Sequence, residues 1–173
     1  MTRNGFTLIE MLVVIAILSV LVTLGSKSIR SARIAAKKAQ AMVEMQSIET
    51  AIKAYFNAYG KLPVESGRQG QDDPGPGVDF SREVINILTA ENTDDNPREM
   101  VFLEPQSSST TGEFHDPWGE QYLIMLDTDY NGRIEVSIGA VTETIRRKVG
   151  VVSQGLYLLN DSASTNDLIK SWQ

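Results

Sequence analysis

Phe6 to Ser26 reads FTLIEMLVVIAILSVLVTLGS, an apolar run of 21 residues with a single charge, Glu10. As an α-helix at about 1.5 Å per residue it is roughly 31 Å long, which matches the hydrocarbon core of a bilayer. Only Met1–Gly5 (MTRNG) precede it. A secretory signal peptide ends in a small-residue cleavage site after a shorter apolar core. Here the run passes without a break into the helix-forming SKSIRSARIAAKKAQAMVEMQSIETAIKAYFNAY. The expectation is therefore a membrane anchor that stays on the protein. Glu10 is its anomaly, because an acid well inside a membrane helix costs about 2.5–3.5 kcal/mol on insertion scales. Such a residue either has a partner or lies close enough to the membrane surface to stay hydrated.

Around this run the chain is acidic but uneven. Its 173 residues carry 22 Asp+Glu against 16 Lys+Arg, one His and no Cys. That length suits one domain, or one domain plus an appendage. Without cysteine there is no disulfide framework and no thiolate site, and one histidine excludes a multi-histidine zinc centre within the chain. A net charge of −6 argues against a general nucleic-acid binder. Lys27 to Lys61 hold seven bases and two acids, net +5, whereas Leu62 onward holds eight bases and 19 acids, net −11. An apolar head, a basic stem and an acidic body suggest lengthwise self-assembly or contact with an acidic surface. A solvated helix face explains the stem charges equally well.

In the stem, Met45, Ile48, Ile52, Tyr55, Phe56 and Tyr59 recur at three- and four-residue steps, one face of an amphipathic helix. Glu44, Glu49 and Lys53 are assigned to its outer half. Tyr59-Gly60-Lys61-Leu62-Pro63 is a helix stop, with Gly at the left-handed position and Pro beyond it. A single helix from Phe6 to Tyr59 is about 80 Å long. Its Ala-rich half (Ala32, Ala35, Ala36, Ala39, Ala41) suits close packing between helices. In the body, 64–77 and 106–112 read as loops. Asp79 or Ser81 is expected to cap a short helix over 82–90, which Asn92–Pro97 breaks. Gln121–Asp127 and Arg133–Ile138 read as strands joined at Asn131-Gly132 by a type I′ hairpin turn, and Val149–Leu159 as a third strand-like run. The fold class is α+β, a long N-terminal helix packed on a small antiparallel sheet with a C-terminal loop.

Gly5-Phe6-Thr7-Leu8-Ile9-Glu10 resembles the class III signal of type IV pilins and type II secretion pseudopilins, position by position. The resemblance implies a leader over 1–5, a transmembrane and filament-core segment over 6–26, an amphipathic stem over 27–60 and a periplasmic domain over 61–173. It implies cleavage by a prepilin peptidase between Gly5 and Phe6, methylation of the new Phe6 amine, and pairing of Glu10 with that amine, commonly on a neighbouring subunit. The implied place is the bacterial inner membrane, in a single pass with the N-terminus cytoplasmic. The positive-inside rule, applied to Lys27–Lys38 against Arg3, points the other way; the motif is followed. Asp116-Pro117-Trp118-Gly119, with Tyr122-Leu123-Ile124 after it, resembles the major (G-type) pseudopilins, where such a motif is read as a structural turn pinned by Pro and anchored by Trp.

Two segments invite a metal. Asp127-Thr128-Asp129-Tyr130-Asn131-Gly132 matches the opening of an EF-hand loop, but position 12 is Ile138 where Glu belongs. Hairpin alternation explains the same residues without a metal and is preferred, because the bidentate ligand is missing. The second is 158–172, which resembles the calcium loop of G-type pseudopilins through Leu158, Asp161, Asp167, Ile169 and Trp172. Leu168 replaces the second acid of the implied pair, which should weaken or abolish the site unless Asn166 or Asn160 substitutes. A metal-free loop held by Trp172 is the other reading.

The resemblance thus implies a structural subunit, not an enzyme, that polymerises with itself and other pseudopilins into a periplasmic pseudopilus driving type II secretion. The prepilin peptidase and the inner-membrane assembly platform are its implied partners. A surface type IV pilin for adhesion, motility or DNA uptake is the alternative. A membrane-anchored enzyme is disfavoured, since His115 is the lone imidazole and no Gly-x-Ser-x-Gly or dinucleotide fingerprint occurs. Arg146-Arg147-Lys148 is a thin basis for binding DNA.

Overall fold

Helix α1 spans Leu8–Tyr59, starting at Leu8 and not at Phe6 because Thr7 is its cap. The computed structural model describes residues 6–71, 73–104, 113–139, 141–160 and 167–172, with backbone alone for 22–28 and 141. The chain divides into two compact units, Met1–Lys37 and Lys38–Gln173. In the first, the large apolar residues from Phe6 to Leu21 are exposed, from 46% at Val14 to 84% at Leu8. Among the described residues no helix is long and apolar enough to cross a membrane.

In the second unit α1 becomes amphipathic as expected. Ala41, Met45, Ile48, Ala51, Ile52 and Tyr55 are buried, and Phe56 and Tyr59 are packed at the edge of the same core. The Gly60 amide still bonds the Phe56 carbonyl at 2.8 Å while its φ of 72° turns the chain out of the helix, the left-handed stop that the sequence signals. The stem acids depart from expectation. Glu49 is buried beside Lys53 (3.3 Å) and Arg147 (3.7 Å), and Glu44 accepts the Tyr122 hydroxyl at 2.6 Å. They are not a solvated outer face, because basic and hydroxyl groups of the body reach them.

Helix α2 covers Val78–Leu88, earlier than the expected 82–90, and it begins at Gly77 with no side-chain cap. Ser81, one of the two expected caps, instead lies inside the helix. Its hydroxyl bonds the Gly77 carbonyl and accepts the Ile124 amide at 2.9 Å, which fastens α2 to the sheet. Asp79, the other, pairs with Arg82 at 3.2 Å. A short 3-10 turn, Ser66–Arg68, interrupts the first loop. Residues 106–112 lie outside the described residues.

The strands are β1 (Leu123–Leu126), β2 (Ile134–Ile138), β3 (Val141–Ile145), β4 (Val149–Ser153) and β5 (Ile169–Lys170). The expected hairpin between Gln121–Asp127 and Arg133–Ile138 does not form. β1 pairs antiparallel with β4 (Ile124 opposite Val151), β4 pairs with β5, and β2 pairs with β3 in a separate two-stranded sheet. Asn-Gly is a local turn signal, and here the Asp127 carboxylate overrides it by accepting the Gly132 amide at 3.1 Å and closing a longer loop. The third strand-like run is half right, for after Ser153 the chain enters a short helix, α3, Gly155–Leu159.

Strand alternation divides the core in two. Ile124, Leu126, Val149, Val151 and Ile169 face the cluster built on α1 and α2. Leu123, Met125 and Val152 face a second cluster with Ile134, Val136, Ile138, Ile145 and Leu168, against which Trp172 packs. Every residue of β1 and β4 is therefore buried, whereas Glu135 and Ser137 of β2 are exposed. The result is the α+β, pilin-like arrangement, a long helix on a small antiparallel sheet.

Two buried tyrosines bind this unit together. Tyr55 donates to the Asp95 carbonyl at 2.6 Å, and burial, with help from Asp95 and Tyr59, pushes its hydroxyl up to about 12. Burial and the bond to Glu44 raise Tyr122 as well. Both stay neutral in the folded chain after an unfolded tyrosine, at about 10, has ionised. The unfolded state then binds fewer protons, so stability is level below pH about 10 and falls as pH rises toward about 12. Denaturant titrations of the detergent-solubilised chain should show that decline, and Tyr55→Phe with Tyr122→Phe should flatten most of it. An equally steep decline in the double variant would contradict the assignment.

Candidate functional site

At the N-terminal end, the helix start is organised by one carboxylate. The Thr7 amide and hydroxyl donate to Glu10 Oε2 at 2.9 and 2.8 Å, and the Glu10 amide donates back to Thr7 Oγ1 at 3.3 Å. This is a capping box, in which the first and fourth residues satisfy each other's unpaired amides. Its Thr-x-x-Glu spacing stands openly in the sequence, although the sequence reading assigned Glu10 to assembly alone. Phe6 is 75% exposed immediately before the box. Gly5, the other residue of the expected cleavage junction, lies outside the described residues.

Asp116 anchors the Asp-Pro-Trp-Gly turn, and it does so through its carboxylate. The residue is 5% exposed. Oδ1 accepts the Trp118 and Glu120 amides at 2.9 and 3.0 Å, and Oδ2 accepts the Ser153 hydroxyl at 2.6 Å and the Gly155 amide at 3.0 Å. One side chain thus closes the turn and joins it to the end of β4 and the start of α3. Gly155 permits that approach, because a Cβ there would lie 2.6 Å from both Asp116 Oδ2 and Trp118 Cβ. The motif forms a turn, as expected, but the side chain at its centre is Asp116. His115, beside it, forms an isolated bridge with Gln121 and lies 3.7 Å from Glu113.

Of the four residues expected to hold calcium in the C-terminal segment, Leu158 and Asp167 are described, while Asp161 and Asn166 lie outside the described residues. Asn160 donates to Asp167 Oδ2 at 2.9 Å. Leu158 is half exposed, and its amide bonds the Gln154 carbonyl. Leu168 is 1% exposed and belongs to the second core, so packing occupies the position where the resemblance asks for an acid.

A third cluster gathers where the hairpin was expected. Carboxylate oxygens of Asp73, Asp127 and Asp129 all lie within 4.8 Å of one another. Asp73 arrives from the loop before α2. Its Oδ1 accepts the Thr128 amide at 2.7 Å and hydroxyl at 3.2 Å, and Thr128 also bonds the Gly70 amide and the Gln71 carbonyl. Asn131 donates both its amide and its side-chain nitrogen to the Asp129 carboxylate. Burial raises the Asp73 and Asp127 carboxyls, aided by their acidic neighbours, whereas the Asn131 amide holds Asp129 below the ordinary range. The EF-hand spacing found two of these acids. Asp73 was missed because its contact with Thr128 is long-range and carries no local signal.

The thin basic patch at 146–148 is largely spent within the chain. Arg147 reaches Glu49 and the Ser171 carbonyl, and Lys148 sits 4.8 Å over the Phe56 ring.

Residues 1–26 match the model of the prokaryotic N-terminal methylation motif. Comparison with curated proteins and with solved structures gives no match. The chain accordingly carries a prepilin-type N-terminus, the kind that a prepilin peptidase processes.

Asp116→Asn puts an NH2 group against the donors that Asp116 Oδ1 or Oδ2 now satisfies. Losing charge-assisted bonds and leaving buried donors unmet should cost about 2–4 kcal/mol. Denaturant unfolding of the detergent-solubilised chain measures it, and a loss below about 1 kcal/mol would show that the carboxylate does not hold the turn.

Proposed function

We propose that this chain is a structural filament subunit whose assembly begins with cleavage between Gly5 and Phe6. The match of residues 1–26 to the methylation motif carries the reading. Cleavage exposes an amine on Phe6, which is methylated. The apolar head holds the subunit in the inner membrane until it slides into the filament, with the acidic body in the periplasm. Glu10 then meets the Phe6 amine of a neighbouring subunit. An ammonium and a carboxylate in low dielectric attract strongly, and a subunit that docks out of register leaves a charge unsatisfied. Glu10 already accepts both Thr7 donors on Oε2, so the capping box aims the carboxylate before a partner arrives.

A type II secretion pseudopilus is favoured over a surface pilus by the Asp116–Gly119 turn and by the Ile169-to-Trp172 ending, which resemble the G-type subunits. A DNA-uptake role is less favoured, because Arg147 and Lys148 have partners within the chain.

The Glu10 role separates cleanly into cap and charge. Glu10→Gln keeps a Thr-x-x-Gln capping box and removes the charge, whereas Glu10→Ala removes both. Both variants should insert and be cleaved, and both should lose filament yield by about tenfold or more, since an unpaired buried charge costs several kcal/mol and 1.4 kcal/mol is tenfold. Quantifying sheared filaments checks this. Wild-type yield from Glu10→Gln would reduce the residue to a helix cap.

A further inference from the structure

We propose that Asp73, Asp127 and Asp129 form a binding site for a hard divalent cation, with calcium the best fit. The inference goes beyond the filament role and does not depend on it. The three carboxylate oxygens lie within 4.8 Å of one another. Calcium–oxygen bonds of about 2.3–2.6 Å allow ligands on opposite sides of the ion to sit about 4.6–5.2 Å apart. Among the described residues none of the three acids is in an ion pair with Lys or Arg.

A second observation is independent of the clustering. Asp127 is 1% exposed. Its Oδ2 accepts the Gly132 amide, but its Oδ1 is buried and finds no hydrogen-bond donor among the described residues. A buried carboxylate is ordinarily paired, fully hydrogen-bonded or bound to a metal. Here two more carboxylates bring an oxygen within 4.8 Å of its own, which makes the unmet oxygen a demand for positive charge.

The donor set chooses the ion. All three ligands are carboxylates, with neither imidazole nor thiolate, which suits calcium and not zinc or copper. Asp129, Asn131 and Glu135 also line the adjoining cleft of about 340 Å³, with Asp73 and Arg133, so further oxygens and water have room to complete a coordination of six to eight. Asp73 supplies the third carboxylate that the EF-hand spacing lacks at Ile138. It is delivered across the fold by Thr128 and not along the loop.

The full chain in detergent, stripped with chelator, is titrated with calcium chloride by calorimetry and melted with and without 10 mM calcium. One site is expected, with a Kd in the range of about 10⁻⁴–10⁻³ M and a melting temperature raised by about 4 °C or more. Asp73→Asn and Asp129→Asn each leave the buried Asp127 in place, and each should weaken binding about tenfold or more and remove the shift. Asp167→Asn, in the C-terminal segment, should keep both. No heat and no shift in the unaltered chain would overturn the proposal. So would a shift that survives Asp73→Asn and Asp129→Asn, or one that Asp167→Asn abolishes.

Discussion

An apolar helix surface that water cannot tolerate sets the terms for everything else in this molecule. From Leu8 to Leu21 the side chains point outward on every side of α1, with roughly half or more of each large apolar surface open. A helix apolar all round is stable only in lipid or between other helices. The same helix changes character from Ala41 onward, where one stripe is buried and, Val43 and Ala54 apart, the exposed positions are polar. One continuous element thus has two environments written into it, which is what a subunit needs if it is to wait in a membrane and then join a filament. The capping box at Thr7 and Glu10 places a carboxylate at the tip of that surface.

The body solves a different problem, which is how to carry excess negative charge inside a small fold. Asp116 is met by four donors. Asp95 Oδ1 is met by Lys61 and Ser66, while the Asp95 carbonyl receives Tyr55. Asn96 bonds the Ile87 and Met100 carbonyls and accepts the Tyr59 hydroxyl. Those bonds explain the stretch from 92 to 100, of which the sequence marked only Asn92–Pro97, as a helix break. It is a clamp at the end of α1, closed by Tyr55, Tyr59 and Phe102 in edge and tilted contact. Against this background Asp127 stands out, because its second oxygen finds no donor among the described residues.

What could be read in advance followed from periodicity and from local stop signals. The stem face Met45–Ile48–Ile52–Tyr55 was legible because burial on one side of a helix repeats at 3.6 residues. The Gly60 stop was legible because only its φ matters. The strand partners were not, since Asn131-Gly132 advertises a two-residue turn while a carboxylate four residues upstream imposes a longer loop. Strand β3 was missed as well, for its run VTETI offers weak apolar alternation. At the N-terminus the methylation motif over residues 1–26 was legible, yet Thr7-x-x-Glu10 also spells a capping box, and its likeness to the motif hides that second meaning. Long-range contacts were silent: neither Tyr122 with Glu44 nor Thr128 with Asp73 leaves a trace at its own position.

The central claim is that the apolar head is a retained assembly element whose amine at Phe6 is created by processing. The most direct measurement is the intact mass of the chain, with N-terminal peptide sequencing, from cells with and without a prepilin peptidase. With the peptidase, the mature chain should begin at Phe6 and carry the added mass of one methyl group, while the cells lacking it should yield the chain from Met1. Mature material that still begins at Met1 with the peptidase present, or that has lost the whole run to Ser26, would contradict the account.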